Sequence, residues 1–199
     1  MIWTNSKYVG DGDVFLATER NYKYIDLNLL KKVSEIVFVS DENKYIYDNY
    51  YDKIKDLKLI GVTGTNGKTT TCYLIYQMLN LMGEKASYIG TIGFYIDDMV
   101  FKLDNTTPEI SLLYNMLYYA KKRKCRVVVM EVSSHALKQD RTYGLLFDSV
   151  LVTNITRDHL DYHKTLKDYI KSKQKLIHLT RGKKICILNK KDKYYKKFK

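Results

Sequence analysis

The sequence predicts an α/β fold, with a small α/β unit first and a larger unit built on a mostly parallel sheet after it. Three observations predict it. Continuous apolar runs such as Val127-Val128-Val129-Met130 read as strands buried on both faces, as strands of parallel sheets are. These runs alternate with segments whose apolar residues recur at helical spacing. The run Leu59-Ile60-Gly61-Val62 leads through Gly64 and Gly67 into a helix-forming stretch that opens at Lys68. That strand, glycine turn and helix N-terminus are the parts of a phosphate-binding loop.

Residues 1 to about 57 make up the smaller unit. Residues 13–17 and 35–39 are expected strands around a helix near Leu27–Lys32, and the polar, tyrosine-rich stretch 43–55 is expected to act as a connector. The larger unit, residues 58–199, starts with a strand over 57–63. A helix over 68–82 carries Leu74, Ile75, Met78 and Leu79 on one face and ends at Gly83. Residues 87–94 read as one strand. Thr107 is expected to cap a helix with Pro108 in its first position, burying Leu112, Leu113, Met116 and Leu117. Strands over 126–132 and 149–155, a helix over 165–179 and a strand over 184–188 complete the pattern.

Composition narrows the setting. Apolar residues make up 45% of the chain, enough for a core, and no run is long and apolar enough to cross a bilayer. The start, Met1-Ile2-Trp3-Thr4-Asn5, lacks a basic-then-apolar leader. Cys72, Cys125 and Cys186 are odd in number and far apart, which fits neither a zinc site nor a disulfide framework and suits a reducing cytoplasm. The net charge of +12 is scattered among 19 tyrosines, so a nucleic-acid surface is not expected. An acidic, phosphate-bearing substrate would suit this charge.

The residues that carry chemistry fall at expected strand ends. In Gly64-Thr65-Asn66-Gly67-Lys68-Thr69-Thr70 the backbone N–H groups would face an anion, Lys68 would neutralise phosphates, and the Thr69 hydroxyl would ligate Mg2+. Glu131 follows a buried strand and would hold Mg2+ or its waters; the bland alternative is a charge facing solvent. His159 and His163 lie in Asn154-Ile155-Thr156-Arg157-Asp158-His159-Leu160-Asp161-Tyr162-His163. Leu160 stands where a zinc-protease pattern needs Glu, so one histidine serving a magnesium-nucleotide site is the expectation, with His163 structural. Lys173 shares a helix face with Leu166 and Ile170. Spacing alone favours a snorkelling stem over a buried, neutral and reactive amine.

Together, Gly61-Val62-Thr63-Gly64-Thr65-Asn66-Gly67-Lys68-Thr69, Asn105-Thr106-Thr107-Pro108, Glu131-Val132-Ser133-Ser134-His135-Ala136-Leu137-Lys138-Gln139-Asp140-Arg141 and residues 154–163 resemble the Mur ligase family of ATP-dependent amide-forming enzymes. Within it they resemble the branch that adds a diamino acid, meso-diaminopimelate or L-lysine, to a UDP-MurNAc dipeptide in peptidoglycan synthesis. The resemblance implies that ATP phosphorylates a substrate carboxylate and that the incoming amine displaces the phosphate. It implies Mg2+ at Thr69 and Glu131, a second Mg2+ at His159, and a carbamylated Lys173 that helps hold it. It also implies UDP-substrate contacts by Asn105, Thr106, Thr107, Ser133, Gln139 and Arg141, and by Ser6 in a shortened N-terminal UDP-binding domain. The resemblance also implies a central domain that runs past Asn189 and a third, amino-acid-binding domain, which is expected to have no counterpart in these residues. A monomeric fragment that does not complete ligation alone is therefore expected. A nucleotide- or UDP-sugar-binding module without catalysis and a folylpolyglutamate-type ligase remain the competing readings.

Overall fold

In the computed structural model the backbone is described for residues 1–199, and side chains for all but Leu160, Lys183 and Lys184. Two sheets organise the chain. The smaller has the order β1-β2-β3, from Ile2–Trp3, Val14–Ala17 and Glu35–Phe38, all parallel. Helix α1, Leu27–Lys32, crosses between β2 and β3, and its N-cap Asp26 accepts from the Leu29 N–H. Trp3, Phe15, Ala17 and Leu29 form the local core.

The larger sheet has β4 (Lys58–Thr63), β5 (Ala86–Gly90), β6 (Gly93–Ile96), β7 (Met99–Phe101), β8 (Val127–Glu131), β9 (Phe147–Val152) and β10 (Thr180–Leu188) in the order β10-β9-β4-β8-β5-β6-β7. From β10 to β5 the strands are parallel; β6 and β7 add as antiparallel hairpins. The pleat of β8 sends Val127 and Val129 into one core and Val128 and Met130 into the other, as a doubly covered strand requires. Helix α3, Lys68–Leu81, covers the first. Helices α2 (Glu42–Ile54), α4 (Ile110–Lys122), α5 (Ser134–Lys138) and α7 (Leu166–His178) supply side chains to the second, and a short α6 (Leu160–His163) precedes α7. No described helix is long and apolar enough to cross a membrane.

Four expectations need correction. The expected connector 43–55 is helix α2. Asp41 caps it by accepting from the Lys44 N–H at 3.0 Å, and Ile46, Tyr50 and Ile54 recur at helical spacing and are buried. Tyrosine rings there act as apolar surface despite the polar composition. The single strand over 87–94 is two strands, because the chain reverses after Gly90 and Gly93 takes φ +131°. Helix α4 starts at Ile110 with Glu109 as its N-cap, since the Thr107 hydroxyl is drawn instead to the Glu131 carbonyl at 2.9 Å. Lastly, Leu74 and Met78 are 55% and 59% exposed, while Cys72, Ile75, Tyr76 and Leu79 form the packed side of α3.

Buried polar contacts sew the two sheets together. The Asn115 side-chain amide donates to the Ile2 carbonyl at 2.7 Å and accepts from the Tyr50 hydroxyl, which takes the Ile2 N–H at 3.1 Å. Register then sets the site. Val62 pairs with Glu131 and Leu151, and Thr63 with Val152, so β4, β8 and β9 end side by side. Ligands of such sheets bind beyond those carboxyl ends.

Candidate active site

The loop between β4 and α3 is braced by the end of β9. The Thr65 N–H donates to the Asn154 carbonyl at 2.8 Å, and the Asn66 N–H to Asn154 Oδ1 at 3.0 Å. The Thr153 hydroxyl donates to the Asn66 carbonyl at 2.7 Å. Thr65 Oγ1 accepts from the Thr156 N–H at 2.9 Å and lies 3.0 Å from the Tyr169 hydroxyl. Gly64 has φ +147°, and a Cβ there would stand 1.9 Å from Thr153 Oγ1. Gly67, at φ +81°, caps α3 without a side-chain bond. The first N–H groups of α3, from Lys68, Thr69 and Thr70, thus open on an anion-binding concavity.

Lys68 and Lys173 meet at this loop. Lys68 Nζ donates to the carbonyls of Gly64 at 3.0 Å and Thr65 at 2.8 Å, and burial lowers its pKa. Lys173, 1% exposed, donates to the same Gly64 carbonyl at 2.8 Å and lies 4.6 Å from the Tyr169 ring centre. Burial first, and the Lys68 charge second, bring its pKa down to about 7, against a partial pull from Asp158. The snorkelling expected from spacing is therefore absent: the whole side chain turns inward, and much of the amine is neutral at neutral pH.

Glu131 is fully buried at the end of β8, not facing solvent. Its Oε1 accepts from the Tyr88 hydroxyl and from the Thr91 N–H at 2.9 Å. Its Oε2 accepts from the hydroxyls of Thr69 at 3.0 Å and Thr91 at 3.2 Å. Thr69 Oγ1 and Glu131 Oε2 are hard oxygen donors beside the loop, the donor type that suits Mg2+. Among the described residues no group of three or more His, Cys, Asp and Glu has metal-holding geometry.

His159 is exposed at φ +50°, its Nε2 3.4 Å from Asp158, and its ring meets that of His135 at 4.8 Å. His163 is buried, its Nε2 2.9 Å from Ser134 Oγ and its Nδ1 3.5 Å from Ser172 Oγ on α7. Burial lowers its pKa, and it tethers α5 to α7.

Beyond Glu131 a polar path continues. Thr106 Oγ1 lies 3.0 Å from Thr91 Oγ1, and Thr107 Oγ1 accepts from the Ser133 N–H at 2.9 Å. Arg141 donates to the Thr107 carbonyl at 2.7 Å and to Gln139 Oε1 at 2.9 Å. Arg141 and Gln139 open on a cleft of about 270 Å³ whose far wall holds Thr18, Arg20, Asn21 and Asn43. Asn105 lines a neighbouring cleft of about 220 Å³. Ser6 sits exposed in a 3-10 turn and is absent from the Arg141 cleft. Arg20, which lines this cleft, was not singled out in the sequence; a polar residue shortly after the apolar run of β2, at a parallel strand's carboxyl end, was the available signal, while the Asn21 side chain is taken up by the Thr4 and Leu16 carbonyls and the Thr18 N–H.

Comparison with known proteins agrees with this layout. The Mur ligase middle domain matches residues 62–199. The UDP-N-acetylmuramoyl-L-alanyl-D-glutamate--2,6-diaminopimelate ligase 1 of Clostridium acetobutylicum is 46% identical over 147 residues, covering 73% of this chain and 30% of the relative. The 2,6-diaminopimelate ligase of that type from Helicobacter pylori is 43% identical over 157 residues, covering 78% of this chain and 33% of the relative. A solved UDP-N-acetylmuramoyl-L-alanyl-D-glutamate--2,6-diaminopimelate ligase superposes with a TM-score of 0.76 at 25% identity, over 99% of this chain and 44% of its own. The chain thus spans about a third of the length of these two curated relatives. A braced phosphate loop, a buried carboxylate on the neighbouring strand and a match across the whole larger unit lead to one conclusion: the chain belongs to the Mur ligase family.

Proposed function

We propose that this chain forms the ATP- and UDP-substrate-binding part of a ligase that joins a diamino acid to UDP-MurNAc-L-Ala-D-Glu through an acyl phosphate. The convergence of Lys68, Lys173 and the loop on the Gly64 carbonyl, one strand away from Glu131, carries this reading. The names of the relatives favour 2,6-diaminopimelate as the amino acid.

Loop N–H groups and Lys68 would hold the β- and γ-phosphates of ATP. Thr69 and Glu131 would hold Mg2+ through Oγ1 and Oε2, and the cation supplies charge neutralisation as the phosphoryl group transfers. His159 and a carbamylated Lys173 would serve a second cation. Carbamylation needs an unprotonated amine, and Lys173 offers one near neutral pH. Arg141, Gln139, Ser133 and the 105–107 loop would orient the UDP-linked peptide, with Arg20 across the cleft as an additional partner. The residues 1–57 would act as the UDP-binding domain.

Calorimetric titration with Mg·ATP and with UDP-MurNAc-L-Ala-D-Glu tests this. Both ligands should bind, Lys68→Met should abolish only the first, and Arg141→Met should weaken only the second. A wild-type chain that binds neither would sink the proposal. Binding of ATP with a folate, and not the UDP-peptide, would favour the folylpolyglutamate-type reading.

A further inference from the structure

Glu131 has two oxygens with different kinds of partner. Oε2 faces only hydroxyls, those of Thr69 and Thr91, which rotate freely and have lone pairs to turn toward a cation. Oε1 faces the Thr91 backbone N–H, which can only donate, and the Tyr88 phenol. The Tyr88 ring is fully buried and gripped by other tyrosines: Tyr73 at 5.9 Å, Tyr76 at 6.3 Å and Tyr95 at 5.6 Å between ring centres. It cannot swing away without breaking that packing. Space for the contact comes from Gly90, where a Cβ would lie 2.2 Å from both Glu131 Oε1 and the Tyr88 hydroxyl.

We infer that Tyr88 is a positioning residue for the cation site: it clamps Glu131 Oε1 so that Oε2 alone, beside Thr69, is presented to Mg2+. A phenol ordinarily loses its proton only at about pH 10, so Tyr88 stays a donor to Oε1 across the physiological range. The phenol makes no contact with phosphate or cation in this scheme; it acts through Glu131. The inference rests on the nucleotide reading above.

Calorimetry with ATP, once with saturating MgCl2 and once with EDTA, separates the possibilities. In Tyr88→Phe, which keeps the ring packing, Mg2+-dependent affinity should fall roughly tenfold, the effect of leaving a buried charged acceptor short of one donor. Affinity in EDTA should stay within twofold of wild type, because the loop is untouched. Gly90→Ala should give the same signature by pushing Oε1 and the phenol apart. Tyr95→Phe, in the same aromatic box without a bond to Glu131, should leave both affinities unchanged. A Tyr88→Phe chain with wild-type Mg2+ dependence overturns the inference, as does an equal loss in EDTA, which would mark a merely structural role. Wild-type protein showing no difference between MgCl2 and EDTA would overturn the cation reading along with it.

Discussion

Lys68 and Lys173 donate to one and the same acceptor, the carbonyl oxygen of Gly64, at 3.0 and 2.8 Å. Two ammonium groups on one carbonyl repel, and around the buried Lys173 little water is present to screen the repulsion. Burial first and this repulsion second lower the pKa of the deeper lysine.

The folded pKa of Lys173, about 7, lies below its ordinary value of 10.5, so between these values the unfolded chain holds more protons. Stability therefore rises with pH across that window, and the penalty for burying the ammonium is complete below about pH 7. Thermal melts of wild type and Lys173→Met from pH 6 to 10 should show this slope in wild type and its loss in the variant.

Removing the Lys68 charge should relax its neighbour. In Lys68→Met the Lys173 pKa should move upward, since Lys68 is the second cause of its depression. Titration of 13C-labelled lysine by NMR would follow it; an unchanged or lower value would contradict the shared-carbonyl account.

Gly64→Ala should cost about 3 kcal/mol, because φ +147° is hostile to a side chain and the new methyl would overlap Thr153 Oγ1. Urea denaturation gives the stability, and ATP titration of the surviving folded fraction should show lost binding.

Thr65→Val keeps the shape and removes the hydroxyl that takes the Thr156 N–H. Leaving that donor unpaired should cost about 1–3 kcal/mol. Hydrogen exchange at Thr156 should quicken before global unfolding, whereas unaltered protection would show that Thr65 does not hold the 154–159 segment.

Asn115→Leu should uncouple the small sheet from the larger one, because the Ile2 carbonyl and Tyr50 hydroxyl lose a shared partner. The expected cost is about 2–4 kcal/mol. Trp3, the one tryptophan and a neighbour of Ile2 on β1, makes its fluorescence the natural probe.

Period and apolar runs carried the strands β4, β8 and β9 and the helices α3 and α7 legibly, because each has a strong pattern of its own. Helix α2 was hidden because its buried positions are partly tyrosine, which counts as polar by composition and packs as an apolar ring. The β5–β6 hairpin was hidden because both arms are apolar and the turn lies inside the run. At the site, Glu131 and the loop were readable from strand-end position. Their mutual arrangement was not, since it depends on β4 and β8 being neighbours across about sixty residues of intervening chain. Lys173 shows the limit most clearly: spacing put it on the right face, but its inward turn follows from the Gly64 carbonyl that awaits it.

The bracing of the phosphate loop has a consequence for how the molecule comes together. Its partners, Thr153, Asn154, Thr156, Tyr169 and Lys173, all lie more than eighty positions downstream of the loop. A growing or half-folded chain that has made β4 and α3 still lacks the struts that aim the loop's N–H groups. On the proposed function, nucleotide capture would follow the docking of β9 and α7 and report on it. If the proposed function holds, bound nucleotide would by mass action favour molecules in which that docking is complete, so ATP would act as a folding ligand too.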